Sequence, residues 1–334
     1  MTVDTSNADT GNADTSIGGL LAAARGGDGD AFRALVAPHL RALHVHSYRM
    51  LGSYDDAEEA VQDTLLRAWQ GLGGYEERAP LRHWLYRITT TTCLKMINRR
   101  ARDPLAGTVD VAWLQPYPDA LLDQLTDPDA DPAAIVDRRE SVALAFIAAL
   151  QLLPASQRAV LILRDVLAWP AQQVADLLGT TVGAVNSALQ RARATLAATQ
   201  PTAAPALPDG ERERRVVDAF LRAWHARDIP ALAALLRDDV TLSMPPQALQ
   251  FVGRHAVVEF FATVPADGRL DLIRLVPTRA NGHPTVAAYL PDGSTGECRG
   301  YGIMVLTIVG DQVATVTGFP DPDLFPAFDL PTTR

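Results

Sequence analysis

The sequence predicts a multidomain chain, all-α over its N-terminal two thirds and α+β over the rest. Three observations predict this. The chain has 334 residues with 48% hydrophobic and 21% charged side chains, which is globular in composition and long enough for two or three domains at ~150 residues each. Apolar residues recur at spacings of three and four from Ile17 to Arg102, and again from Ala134 to Ala198, the period of helices with one buried face. After the Pro/Ala-rich segment QPTAAPALPD at 200–209, the pattern shifts to Val/Leu/Ile/Tyr-rich runs punctuated by Asn281-Gly282, Asp292-Gly293 and Gly310-Asp311, which read as strands joined by hairpin turns.

Taken in order, residues 1–16 are Asp/Asn/Thr/Ser-rich and hold too little apolar surface to fold, so a disordered tail is expected. Phe32, Leu35, Val36, Leu40 and Leu43 mark the first helical stretch, and Gly52-Ser53 breaks it. Asp55–Leu72 resumes with Ala57, Val61, Leu65 and Ala68 facing in. Gly71–Pro80 is a loop, and Leu81–Arg102 is a third long helix that buries Leu81, Leu85, Ile88 and Ile97. Asp103–Pro132 holds six prolines or glycines and reads as a linker, although Trp113-Leu114-Gln115-Pro116-Tyr117-Pro118 is too aromatic for a passive one. In the last third, helices are expected over Glu211–His225 and Ile229–Leu236, then strands near 239–244, 270–278, 284–290, 299–309 and 312–318, forming a curved antiparallel sheet. The expected domains are therefore 17–103, a linker at 104–133, 134–200, a linker at 201–209, and 210–334.

Charge and cysteine content exclude several classes. Residues 1–200 carry 18 basic and 23 acidic side chains, and residues 201–334 carry 12 and 16. Neither half binds nucleic acid through bulk charge, and any such contact must come from local patches. Cys93 and Cys298 make no metal-ligand spacing, and a reduced, cytoplasmic protein is the expectation. No window of eighteen apolar residues suggests a membrane span, and MTVDTSNADTGNADTS has no basic, then apolar, signal pattern.

Three motifs carry chemistry. Pro170 suits the first turn of a short helix, PAQQVADLL; Gly179-Thr180-Thr181 makes a turn, and Thr181 is placed to cap the next helix, Val182–Leu196. That helix buries Val185, Leu189, Ala192 and Leu196 and presents Gly183, Asn186, Ser187, Gln190, Arg191 and Arg193. Small residues let backbone approach phosphates, and Asn, Gln and Arg reach base edges in a major groove; the plain alternative is a helical hairpin with a polar face. The Leu81–Arg102 helix carries Thr91, Lys95, Asn98 and Arg102 on one stripe with Arg99 and Arg100 beside it. This stripe can track a phosphate backbone, or be a solvated helix end favoured by the dipole. Tyr75, Trp84 and Tyr86 precede it; aromatics of this kind hold unstacked bases, although Trp84 sits at core spacing. On DDAEEAVQDTLLRAW, Asp55, Glu59, Gln62 and Asp63 share a face that repels DNA and suits a basic protein surface, or simply water.

Together these motifs resemble an extracytoplasmic-function sigma factor of the sigma-70 family over residues 17–200. YRMLGSYDDAEEAVQDTLLRAW is similar to the region 2 segment that binds the polymerase clamp, PLRHWLYRITTTTCLKMINRR to the stretch that opens and reads the −10 element, and LPASQRAVLILRDVLAWPAQQVADLLGTTVGAVNSALQRARATL to region 4, whose helix-turn-helix reads the −35 element. The resemblance implies core RNA polymerase binding through Asp55, Glu59, Gln62 and Asp63. It implies −10 contacts from Lys95, Asn98, Arg99, Arg100 and Arg102, and −35 contacts from Thr181, Gly183, Asn186, Ser187, Gln190, Arg191 and Arg193. VVDAFLRAWHARDIPALAALLRDDVTLSMPP resembles the opening of a SnoaL-like cone fold, in which helices close over a curved sheet and leave a pocket; Trp224, Met244, Phe260, Tyr289 and Tyr301 are the expected lining. The linker WLQPYPD and the added domain are similar to the sigma subgroup carrying such a fusion, so Trp113, Pro116 and Tyr117 are expected to dock on the C-terminal domain.

The reading is thus a sigma factor that directs transcription initiation. Its expected partners are core RNA polymerase, promoter DNA and a small molecule of unknown identity in the pocket of the C-terminal domain, and no cofactor, metal or membrane is implied. Two alternatives stay open: a stand-alone helix-turn-helix regulator with a ligand domain, and a SnoaL-type cyclase or isomerase with an accessory helical half. The second needs an acid or base, and His225, Asp239, Asp271 and His283 form no dyad by spacing.

Overall fold

The computed structural model describes residues 17–102, 114–124, 141–199, 210–247, 249–292 and 297–334. The expected disordered tail, Trp113, most of both linkers and the turn at Gly293 lie outside these residues.

The N-terminal bundle comprises α1 (Ile17–Arg25), α2 (Gly29–Val36), α3 (Leu40–Leu51), α4 (Tyr54–Gly71) and α5 (Leu81–Arg100). Asp28 caps α2 by accepting from the Asp30 and Ala31 amides, and Ser53 caps α4 by accepting from Asp56; each satisfies first-turn donors that the helix itself cannot. α3 ends at Gly52, which has φ +77°. A Cβ there would lie 2.9 Å from the Gln151 side chain, so glycine serves both the left-handed cap and the close approach of the next helical unit.

That second unit follows the short α6 (Asp119–Asp123) and contains α7 (Leu144–Gln151), α8 (Ala155–Leu161), α9 (Ala171–Leu178) and α10 (Val182–Thr199). Among the described residues its first helix is Leu144–Gln151, preceded by a turn at Ser141 and Val142; the stretch of the expected helical pattern from Ala134 to Glu140 lies outside the described residues. Gly179, at φ +64°, closes α9, and the Thr181 hydroxyl accepts from the Ala184 amide at the start of α10.

The two helical units share one hydrophobic core, from Leu21 through Tyr48 and Leu85 to Ile147, Ile162 and Leu189. Arg158 of α8 is buried, donates to the Met50 carbonyl across the seam, and also reaches the Gln151 and Leu153 carbonyls at 2.9 and 3.1 Å. Arg49 donates to Ser141 at 2.6 Å, and Trp169 stacks on His83 of α5 with ring centroids 4.3 Å apart. The arrangement is closed.

The C-terminal domain has α11 (Gly210–His225), α12 (Ile229–Leu235), β1 (Leu236–Ser243), β2 (Gln250–Val252), α13 (Arg254–Thr263), β3 (Arg274–Ala280), β4 (His283–Pro291), β5 (Cys298–Val309) and β6 (Gln312–Phe319). The sheet order is β2-β1-β6-β5-β4-β3. It is mixed rather than purely antiparallel, since β1 and β6 pair in parallel. β2 and α13 were not foreseen. β2 has three residues, too few for a period, while α13 carries a readable Val257, Phe260, Phe261 stripe. Residues 270–272 form a 3₁₀ turn rather than strand. Two clusters pack on opposite sheet faces: one under the helices, with Phe220, Phe261 and Leu306, and one with Ile303, Phe319 and Phe325.

Candidate functional site

Three surfaces and one seam carry the candidate residues. On α4, Asp55, Glu59 and Gln62 are exposed and Asp63 is half-buried. Each carboxylate already has a partner: Asp55 accepts from the Gln115 amide at 2.7 Å, Glu59 meets Arg99 at 3.4 Å, and Asp63 meets Arg67 at 3.4 Å. Beside them Leu66 is 56% and Trp69 36% exposed. Neither side chain is singled out by the sequence; Trp69 packs edge-on against Phe32 with ring centroids 5.1 Å apart and keeps its remaining surface in water, as does Leu66.

On α5, Lys95, Asn98, Arg99 and Arg100 are exposed, as is Arg102 just beyond its end. Arg99 and Arg100 point back toward α4, pairing with Glu59 and Asp56. The aromatics before them are largely structural: Trp84 packs on Tyr75 with centroids 5.0 Å apart, and Tyr86 is buried against Trp169.

On the helix-turn-helix, Thr181, Gly183, Asn186, Ser187, Gln190, Arg191 and Arg193 are all exposed, while Val185, Leu189, Ala192 and Leu196 are buried. Arg193 makes a two-pronged contact with Asp165, Nε and Nη2 donating at 2.9 and 2.7 Å. This pair holds the Arg193 guanidinium pKa above its ordinary value, the hydrogen bond first and the charge second.

The seam lies where Leu114–Asp119 threads between the N-terminal bundle and the C-terminal sheet. Gln115, Pro116 and Tyr117 are buried. Every polar atom of the Gln115 side chain is used: Oε1 accepts from Ser53 Oγ at 2.7 Å and the Asp55 amide at 3.1 Å, while Nε2 donates to Asp55 and, at 3.3 Å, to Asp321. Its backbone N–H donates to the Gly52 carbonyl at 3.0 Å, and its carbonyl accepts from Tyr48 Oη at 2.8 Å. Tyr117 sits among His44, Tyr48 and Tyr54 with centroids 5.4, 4.8 and 5.7 Å away. Burial drives the Tyr117 phenol pKa up to about 12 and the His44 pKa down to about 4, with Arg41 adding to the latter; both groups are held neutral.

The tip of the β3–β4 hairpin closes the seam. Asn281 and Gly282 have φ +56° and +77°, the left-handed pair of a two-residue hairpin turn. The buried Asn281 exchanges two hydrogen bonds with Tyr117: its amide donates to the Tyr117 carbonyl at 2.9 Å, and its Oδ1 accepts the Tyr117 amide at 2.7 Å. Its Nδ2 donates to Tyr48 Oη at 2.9 Å and to the Val142 carbonyl at 2.6 Å. Gly282 donates to Asp119 Oδ1 at 2.8 Å, and Arg279 bridges Asp119 and Glu213. Asn281 therefore touches the first helical unit, the linker and the entry to the second unit with one side chain. In the sequence Asn281-Gly282 signalled only a turn; its docking role had no local signature.

The C-terminal domain holds a cavity of about 650 Å³ under α11 and α13. Trp224, Met244, Phe260 and Tyr301 line it; Tyr289 does not. Neighbours alternate faces along a strand: Ala288 and Leu290 face the cavity, so Tyr289 points through the sheet, where it packs on Phe325 and donates to the Pro331 carbonyl at 2.9 Å. His225 accepts from the Leu275 amide, Asp239 is held by Arg237 and Asp271 by Arg269. His283, held below its usual range at about 4 by burial and by Arg279, also lies away from the cavity.

Comparison with known proteins agrees with this organisation. The profile for Sigma-70 region 2 matches residues 35–103, that for Sigma-70, region 4 matches 143–196, and that for the SnoaL-like domain matches 217–316. The chain is 42% identical over 318 residues to the ECF RNA polymerase sigma factor SigG of Mycobacterium tuberculosis, covering 90% of this chain and 84% of the relative. It is 34% identical over 178 residues to SigM of the same organism, covering 53% of this chain and 81% of the relative. The crystal structure of Mycobacterium tuberculosis SigJ shares the fold, with a TM-score of 0.59 at 23% identity over 87% of this chain and 96% of that one. Two sigma-70 regions followed by a SnoaL-like domain define a promoter-recognition subunit with an added α+β module. The chain belongs to the extracytoplasmic-function RNA polymerase sigma factors.

Proposed function

We propose that this chain binds core RNA polymerase in the cytoplasm, reads −10 DNA with α5 and −35 DNA with α10, and is regulated by its C-terminal domain. The observation that carries the regulatory reading is Asn281, whose side chain bonds Tyr48, Tyr117 and Val142 at once. The two DNA-reading units must spread over a promoter, and here they share one core. A hairpin tip fastened to the linker at their junction biases them toward the closed arrangement. Polymerase opens the molecule by binding the open arrangement better. The acidic face of α4, with Leu66 and Trp69, supplies the core-binding surface, and the Glu59–Arg99 and Asp56–Arg100 pairs keep the −10 helix partly neutralised until DNA replaces them.

The test is promoter-dependent transcription with purified core, comparing the full chain, a truncation ending near residue 200, and Asn281→Gly. The truncation and Asn281→Gly should bind core at lower concentration than the full chain. Equal core affinity and activity for all three, at equal fold stability, would remove the regulatory reading and leave the sigma assignment standing.

A further inference from the structure

A wide turn joins the contact between the two helical units to the DNA-facing side of the second. After α8 the chain does not stay α-helical: Ile162–Val166 is π-helical, and the Leu167 amide donates to the Ile162 carbonyl, five residues back, at 2.9 Å. The Trp169 amide then donates to the Leu163 carbonyl at 2.9 Å, and Arg164 donates to the Trp169 carbonyl. A π turn carries an extra residue, so side chains along it are turned by up to about 100° from their α-helical places.

Little inside the turn favours this shape. Ala168 has φ +55°, a left-handed conformation that a residue with a Cβ adopts only under constraint. Arg164 Nε is buried and finds no acceptor among the described residues, an unfavourable state for a polar group. The constraint comes from the other unit. Trp169 is 5% exposed and lies against α5, its ring centroid 4.3 Å from that of His83 and 5.5 Å from that of Tyr86. At its other end the same turn sets Asp165, whose two carboxylate oxygens accept from Nε and Nη2 of Arg193 on α10. The Arg193 side chain is 60% exposed, yet in this pair it brings no net charge to DNA.

We infer that Trp169 is a positioning residue for −35 binding: stacked on α5 it holds the wide turn that keeps Asp165 on Arg193, and freed from α5 it lets the turn relax and Arg193 meet a DNA phosphate. Arg193 is thus withheld while the two units are closed and supplied when they part. This rests on the reading under Proposed function that the units part at a promoter and that α10 meets −35 DNA. An exposed ion pair contributes little stability, so a change in the turn is enough to separate Asp165 from Arg193. The freed guanidinium adds one contact that releases a counterion from the duplex, and the carboxylate that opposed it turns away.

The experiment uses the full-length protein and a −35 duplex, with affinity followed by fluorescence anisotropy from about 50 to 200 mM KCl. Two variants remove the stack from opposite sides. His83→Ala strips the α5 face and leaves the second unit's sequence untouched; Trp169→Leu keeps an apolar side chain in the second unit. Hydrogen exchange at the amide of position 169 reads the turn. In both variants that amide should exchange faster, DNA affinity should rise about 3- to 10-fold, and the slope of log K against log salt should steepen by about 0.9, the value of one phosphate. These gains should vanish when His83→Ala is made in an Arg193→Ala background, and should not add to those of Asp165→Asn. Exchange unchanged in both variants, a faster exchange with an unchanged salt slope, or a gain that survives Arg193→Ala would overturn the coupling and leave the closed arrangement standing. If Asp165→Asn by itself neither raises affinity nor steepens the slope, Arg193 does not serve DNA, and its −35 role fails together with the coupling.

Discussion

Asn281→Gly isolates the linker contact from the fold that presents it. Asn281 sits at φ +56°, where glycine is unstrained while alanine costs about 1–2 kcal/mol. The hairpin should therefore form as before. What disappears is a buried side chain with three hydrogen bonds, at 2.7 Å from the Tyr117 amide, 2.9 Å to Tyr48 Oη and 2.6 Å to the Val142 carbonyl. At about 1 kcal/mol net for each bond, closure of the linker against the domain should weaken by about 3 kcal/mol, or roughly 100-fold. The contacts of Gly282 with Asp119 and of Arg279 with Asp119 remain, so closure is weakened and not abolished. The assay is hydrogen exchange of the full chain, following the Tyr117 amide and, as a control, the β4–β5 ladder from Thr285 to Pro291. Tyr117 should exchange far faster while the ladder keeps its protection. Tyr117 protection within about threefold of the native protein, a change under about 0.7 kcal/mol, would refute the assignment of Asn281 as the fastening residue.

Acid should loosen the bundle through α3. His46 is fully buried, pairs through Nε2 with Thr90 at 2.9 Å, and is held at about 3 by burial and then by Arg49, while His44 is held at about 4 by burial and then by Arg41. Both bind fewer protons folded than unfolded, so their stability contribution is intact above pH ~6.5 and falls as pH drops toward 4, by up to about 1.4 kcal/mol per pH unit for each group; melts from pH 7 to 4 should show this slope, and His46→Asn should shallow it. Reversing Glu59 and Asp63 together should weaken core polymerase binding with little change in melting, because exposed ion pairs contribute at most about 1 kcal/mol, and Leu66→Glu should act in the same direction; core affinity unchanged in both variants would exclude this face. Asn186→Ala should relax −35 base preference at one position by about 1–3 kcal/mol of discrimination, whereas Asp165→Asn should free Arg193 and raise −35 DNA affinity across sequences, both read from a promoter library in binding assays. Arg158→Ala removes the buried bond to the Met50 carbonyl at the seam of the two helical units and should lower stability by about 2–4 kcal/mol, measured by urea unfolding; a loss under 1 kcal/mol would mean that the seam is held by apolar packing alone.

Periodicity and punctuation make most of the elements legible in the sequence. The Leu81–Arg102 reading became α5 at Leu81–Arg100, and Val182–Leu196 became α10 at Val182–Thr199, because a helix buries its i, i+3, i+4 stripe whatever it packs against. Exposure of the Asn186, Gln190 and Arg191 face follows from the same stripe. The misses share a cause. Three-residue β2 is too short to show a period, and the parallel β1–β6 pairing joins strands nearly eighty residues apart, a relation carried by no local pattern. Tyr289 was expected to line the cavity, but the face it takes depends on register, and one residue of register moves a side chain through the sheet.

What the sequence determined by itself is therefore local: the helices, their caps, the hairpin turns, and the ordered motifs that mark a sigma factor with an added domain. Tertiary structure decided what meets what. Only in the folded chain do Gln115 and Asn281, 166 positions apart in the sequence, come to serve the same segment. Only there do Glu59 and Asp56 meet Arg99 and Arg100, and Asp165 meet Arg193. The physical reason is that backbone propensity and hydrophobic period act over a few residues, whereas a buried polar group is satisfied by whichever partner the packing of whole elements delivers to it.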